Sequence, residues 1–131
     1  MRKRKIMVIE DEKTLLEVIG KKINSTEDLQ AFLYDNGTDA LADLKNHRIL
    51  PDLIWLDYYL TDMEGLQFVQ EINKDQALTN IPIFVISNSI SHNKVHYMLA
   101  LGVDNYLLKA EHQLSDIIYN IRSFLANMSS Q

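Results

Sequence analysis

Five side chains suited to phosphoryl chemistry stand where apolar runs end. Glu10 and Asp11 follow residues 5–9 (KIMVI), Asp57 follows 53–56 (LIWL), Ser87 follows 81–86 and Lys109 follows Asn105–Leu108. Three carboxylates brought within a few ångström repel one another unless a cation joins them, and hard oxygen donors select Mg²⁺ or a similar ion. Mg²⁺ takes one or two carboxylates, keeps several waters and binds phosphate, so such a site suits phosphoryl transfer. A carboxylate such as Asp57 is then a candidate nucleophile that forms an aspartyl phosphate. Lys109 would neutralise charge on the transferring group, and Ser87 would donate a hydrogen bond to it. No GxxxxGK[ST] or GxGxxG stretch is present to cradle a nucleotide, so the phosphate must come from something other than bound ATP or GTP. Taken alone, Asp57 has a plainer reading as a turn residue that hydrogen-bonds its own backbone.

The elements that must position these groups follow from hydrophobic spacing. Residues 53–56 form a continuous apolar block after Pro51, the pattern of a strand buried on both faces of a parallel sheet. Residues 5–9, Leu29–Tyr34, 81–86 and Asn105–Leu108 read as the other strands. Helical stripes fall at Leu15, Leu16, Ile19 and Ile23; at Ala40, Leu41 and Leu44, after an Asn36-Gly37 turn signal; and at Leu66, Val69 and Ile72. Two more fall at Val95, Met98 and Leu99, before a break at Gly102, and at Leu114, Ile117, Ile118, Ile121 and Leu125. Five strand-then-helix units in alternation predict an α/β doubly wound parallel sheet of the flavodoxin-like (βα)5 kind, with strand order 2-1-3-4-5. That order makes strands one and three neighbours, so Glu10 and Asp11 face Asp57, while Ser87 and Lys109 join the same rim.

Composition narrows the function classes. At 131 residues the chain predicts a single domain, residues 1–131 with a core over about 4–127, with no effector domain in this chain and a Ser129-Ser130-Gln131 tail. A net charge of −5 argues against a nucleic-acid-binding surface, and the one basic cluster, 2–5, reads as a solvated lead-in to the first strand. No apolar run reaches the about 20 residues of a membrane span. The absence of cysteine excludes disulfides and thiol chemistry and fits a cytoplasmic compartment. His92 and His96 stand i,i+4, but no third ligand is evident.

Glu10-Asp11, Asp57 with Gly65 eight residues on, Ser87, and Tyr106-x-x-Lys109 form, in this order and spacing, a set that resembles the receiver domain of two-component response regulators. The likeness covers essentially the whole chain. It implies that Asp57 accepts a phosphoryl group from a histidine kinase or a histidine phosphotransfer protein. It also implies that Asp11, Asp57 and the Tyr58 backbone carbonyl ligate Mg²⁺ directly, with Glu10 acting through water. Ser87 and Tyr106 become the switch pair: Ser87 moves to meet the phosphoryl group and Tyr106 fills the space behind it. The output would be a downstream protein or dimer partner on the face of helix four, strand five and helix five, with Tyr97, Leu101 and Tyr119 beside Tyr106. Such a protein is a phosphorelay signalling switch, an enzyme only toward its own phosphorylation and dephosphorylation.

Four positions depart from the family pattern. Thr61 and Ala110 stand where proline is usual, so a trans bond is expected after Lys109, because a cis non-proline bond costs about 2.5–4 kcal/mol. Asn88 narrows phosphoryl access, and Tyr59 is bulky and near the rim, so these two are expected to tune turnover. The rival readings are a receiver-like interaction module that is never phosphorylated, an aspartyl-phosphate phosphatase and a flavodoxin. The first would have lost an acid or the lysine, the second carries a second Asp where Tyr59 stands, and the third needs a phosphate loop where this chain has acids.

Overall fold

The structure, a computed structural model, describes residues 2–89 and 91–129. Strands β1 (Arg4–Ile9), β2 (Leu29–Tyr34), β3 (Leu53–Asp57), β4 (Ile83–Ser87) and β5 (Asn105–Leu108) form one parallel sheet in the order β2-β1-β3-β4-β5, as the alternation predicts. Helices α1 (Lys13–Asn24), α2 (Gly37–Lys45), α3 (Gly65–Asn73) and α4 (His92–Ala100) are the crossovers, and α5 (Leu114–Ser129) follows the last strand. The last helix therefore includes Ser129, where a tail was expected, and Ser130 and Gln131 lie outside the described residues.

Alternation along each strand sorts side chains into two cores. Met7, Ile9, Ile54, Leu56 and Val85 pack beneath α2 and α3 with Phe68, Val69 and Ile72. Ile6, Val8, Trp55, Phe84 and Ile86 pack beneath α1 and α5 with Ile19, Ile23, Ile117 and Ile121. β3 and β4 are buried at every position, which is why they read as unbroken apolar runs rather than alternating ones. Trp55 is fully buried, and truncating it to Ala would cost about 3–5 kcal/mol.

Local chemistry corrects several sequence expectations. β4 begins at Ile83 rather than 81 because Pro82 has no N–H for the ladder; its carbonyl still accepts from Ile54 N at 2.9 Å. Asn36-Gly37 is a helix start rather than a turn, with the Asn36 side chain accepting from Asp39 N at 2.7 Å. In α3, Phe68 joins Val69 and Ile72 in the core, while Leu66 is only partly buried. In α4, Met98 alone is buried; Leu99 is 46% exposed. Tyr97 and Tyr119 are exposed as expected, whereas Leu101 closes α4 and packs against the core.

Candidate functional site

Four strand ends build the site. Asp57 is the last residue of β3, paired with Ile86 of β4, and the adjoining Ser87 ends that strand. Glu10 follows β1, which pairs with β3, and its N–H donates to Tyr34 O at 3.0 Å, prolonging the ladder by one bond. Lys109 follows β5. The sheet order thus brings Glu10 and Asp11, Asp57, Ser87 and Lys109 from four separate segments to the carboxyl rim.

Carboxylate oxygens of Glu10, Asp11 and Asp57 all lie within 4.8 Å of one another. Lys109 Nζ donates to Glu10 Oε1 at 2.7 Å and stands 3.6 Å from Asp57 Oδ1. One ammonium faces three acids, and burial makes the imbalance expensive. Burial and the neighbouring Glu10 charge push the Asp57 carboxyl up to about 7. Asp11 is also raised, by burial and by its contact with Glu10. Glu10 goes the other way: burial opposes its ionisation, but the Lys109 hydrogen bond, the Glu12 N–H and the Lys109 charge together outweigh it and hold its carboxyl below the ordinary range. Lys109, though half-buried, is held above its usual value by Glu10 and Asp57.

This donor set fits a hard divalent cation: it is all oxygen, and it carries more negative charge than Lys109 offsets. Both Glu10 oxygens already have donors, Lys109 at 2.7 Å and Glu12 N at 3.2 Å, so Asp11 and Asp57 are the freer ligands. The Tyr58 carbonyl accepts from Gly65 N at 2.6 Å and retains a second lone pair. Gly65 is required there because a Cβ would fall 2.9 Å from the Tyr58 ring and 3.3 Å from its Cα. The loop between is tied by a Tyr59–Glu64 bridge, and Asp62 caps α2, accepting from Gly37 N, Thr38 N and Thr38 Oγ1 at 3.0, 2.8 and 2.6 Å.

Ser87 is fully buried, and its Oγ accepts from Ser89 N at 3.3 Å. Tyr106 is partly buried; its hydroxyl donates to Ser89 O at 3.4 Å. The candidate switch residues therefore meet at Ser89, a residue the sequence reading did not single out. Asn88 is exposed beside it, and the bond after Lys109 is trans, continued by a 3₁₀ turn at Lys109–Glu111. Lys94 was also missed. It donates to the Tyr59 hydroxyl and lies 5.0 Å from the Tyr58 ring centre. Its only sequence signal is its place in the first turn of α4, behind the Ser91 cap. His92 and His96 are exposed, and among the described residues only the three acids form a group able to hold a metal ion. No helix among the described residues is long and apolar enough to cross a membrane.

Comparison with known proteins agrees with this geometry. The family model for the response regulator receiver domain matches residues 6–122. The response regulator protein VraR of Staphylococcus saprophyticus is 31% identical over 126 residues, covering 95% of this chain and 58% of the relative. The chain spans about half the length of the curated relatives it matches, 49–58%. Among solved structures, the phosphorylated cyanobacterial phytochrome response regulator RcpA is 30% identical with a TM-score of 0.82, over 96% of each chain. The Mn²⁺-bound form of the response regulator Rcp1 is 26% identical with a TM-score of 0.79, over 92% of this chain and 93% of that one. With its (βα)5 order, its acidic rim and the lysine that partly balances it, the chain belongs to the receiver-domain family of two-component response regulators.

Proposed function

We propose that Asp57 is the phosphoacceptor of this receiver and that Mg²⁺ is its metal, held by Asp11, Asp57 and the Tyr58 carbonyl with Glu10 acting through water. The observation that carries this reading is the packing of three carboxylates within 4.8 Å around a single lysine. A bound Mg²⁺ would neutralise the acids and the incoming phosphoryl oxygens. In the transfer, an Asp57 oxygen attacks the phosphorus of a phosphohistidine on a histidine kinase or phosphotransfer protein. The P–N bond breaks, its electron pair stays on the imidazole, and the imidazole takes up a proton. Lys109 stays beside Asp57 and offsets the charge that arrives with the phosphoryl group.

Ser87 then exchanges its bond from Ser89 N for a phosphoryl oxygen, and Tyr106 gives up Ser89 O and turns inward. Because both ties end at Ser89, one exchange loosens the other. A partner that binds the two arrangements unequally reads the switch, on the face of α4, β5 and α5 where Tyr97 and Tyr119 are exposed. The occupant of that face is a protein or a second copy rather than nucleic acid, given the charge of −5. The compartment is the cytoplasm, and the only reactions the chain catalyses are its own phosphorylation and dephosphorylation. Intact-protein mass after incubation with acetyl phosphate, with and without Mg²⁺, tests this. One added phosphoryl group is expected, dependent on Mg²⁺ and absent in Asp57→Asn; an adduct in the variant, or none in the wild type, would refute it.

A further inference from the structure

The loop from Tyr58 to Gly65 folds back on itself as a short ladder. Gly65 N donates to Tyr58 O at 2.6 Å, Tyr59 bridges antiparallel to Glu64, and Leu60 N donates to Met63 O at 3.1 Å. Those rungs put the Tyr58 carbonyl at the base and leave Thr61 and Asp62 at the tip, both exposed. The tip is tied down across 24 to 25 residues of chain, because Asp62 accepts from Gly37 N, Thr38 N and Thr38 Oγ1 in the first turn of α2. Asn36 caps α2 from within by accepting from Asp39 N, so the donors of Gly37 and Thr38 are met from the loop instead. Met63 seats beside them. A Cβ at Gly37 would fall 2.6 Å from Met63 Sδ, so Met63 can lie this close only against a glycine.

We propose that Asp62 is a positioning residue for divalent-cation binding: by clasping the tip of the loop to α2, it holds the Tyr58 carbonyl at the base in its ligating place. The role rests on the assignment of that carbonyl as a Mg²⁺ ligand. A carbonyl oxygen carries no net charge, so it adds most to affinity when it is already in place; ordering it at the moment of binding would subtract from the gain. Gly65 N fixes one side of the base and Leu60 is buried in the core, but Tyr59, Thr61 and Asp62 are exposed. The clasp supplies the restraint that packing does not. A tip that swings away from α2 pulls on the Leu60–Met63 and Tyr59–Glu64 pairs, and through them on Tyr58. Linkage makes the coupling mutual: if the clasp favours the bound cation, the bound cation favours the clasp by the same factor.

Isothermal titration calorimetry of the full chain with Mg²⁺ alone tests this, in about 0.5 M KCl so that the bare charge of an exposed carboxylate is screened. Asp62→Ala is expected to bind Mg²⁺ about three- to tenfold more weakly than the wild type, at or below the low end for groups that orient metal ligands. Ala40→Gly, which weakens α2 in its interior and leaves the Asp62 contacts in place, is expected to bind as the wild type does. Hydrogen exchange gives the reciprocal readout, which a merely structural clasp would not move. Saturating Mg²⁺ should slow exchange of the Gly37 and Thr38 amides in the wild type by about the same factor. Equal affinities in Asp62→Ala and the wild type, an equal weakening in Ala40→Gly, or exchange at these two amides that ignores Mg²⁺ would each overturn the proposal. A wild type that binds no Mg²⁺ would instead overturn the metal assignment on which it rests.

Discussion

Replacing Asp57 by Asn should make the metal-free protein more stable at neutral pH. Folding lifts the Asp57 carboxyl from 3.8 to about 7, chiefly through burial and then through the charge of Glu10. A rise of about three units corresponds to about 4 kcal/mol at about 1.4 kcal/mol per unit. Asn is nearly isosteric, carries no charge, and leaves Lys109 its 2.7 Å bond to Glu10. The three-unit rise already contains the Lys109 attraction at 3.6 Å, and with about half of it offset by relaxation of the site a net gain of about 2 kcal/mol is expected, or roughly 8 °C in Tm for a chain of this size. The pH dependence has a fixed sign. Below about pH 4 both folded and unfolded chains hold the Asp57 proton, and no penalty exists. Between pH 4 and 7 the unfolded chain releases the proton while the folded one keeps it, so wild-type stability falls relative to the variant. Above 7 the difference levels off. Urea unfolding of both proteins in chelator from pH 4 to 8 measures it, and the carboxylates remote from Asp57 cancel in the difference. Adding Mg²⁺ should then raise the wild type more than the variant, because binding to the folded state alone adds stability. A variant no more stable than the wild type at pH 8, or a gap that does not change between pH 4 and 8, would refute the argument that the acids are in electrostatic conflict.

Lys109→Met should act in the opposite direction, destabilising the metal-free protein by about 3–5 kcal/mol at pH 7 because it leaves buried acids without their cation; denaturation midpoints should recover partly with Mg²⁺. His47 occupies the left-handed position after α2 with φ 54°, where His47 N bonds Leu44 O and Arg48 N bonds Asp43 O, so His47→Gly should add about 1 kcal/mol in urea unfolding. Gly102 holds the matching place after α4 at φ 102° with open space around its missing Cβ, so Gly102→Ala should cost about 1 kcal/mol from backbone strain alone. Met98→Ala should cost about 2–5 kcal/mol and Leu99→Ala less than about 0.5, a contrast that thermal unfolding reads directly.

The parts of this molecule that were legible in the sequence share one property: their signal is carried by neighbours in the chain. Residues 53–56 announce a doubly buried strand because every position is apolar, and the strand order follows from the alternation of units, so Glu10, Asp11, Asp57 and Lys109 could be brought together on paper. Helix faces were less legible where the helix is short and weakly amphipathic. α4 buries one side chain, so periodicity alone gave Leu99 a place in the core that its 46% exposure denies. Asn36-Gly37 misled for another reason, since the same pair begins turns and caps helices, and the choice was made by Asp62, 25 residues away, whose carboxylate accepts from Gly37 N. Ser89 and Lys94 were illegible altogether. Their importance lies in contacts between segments 17 and 35 residues apart, from Tyr106 to Ser89 and from Lys94 to Tyr59, and no local pattern records those. The acids that would do the chemistry are thus fixed by strand ends, which sequence periodicity reveals. The groups that would set its rate and transmit it are fixed by loop-to-helix contacts.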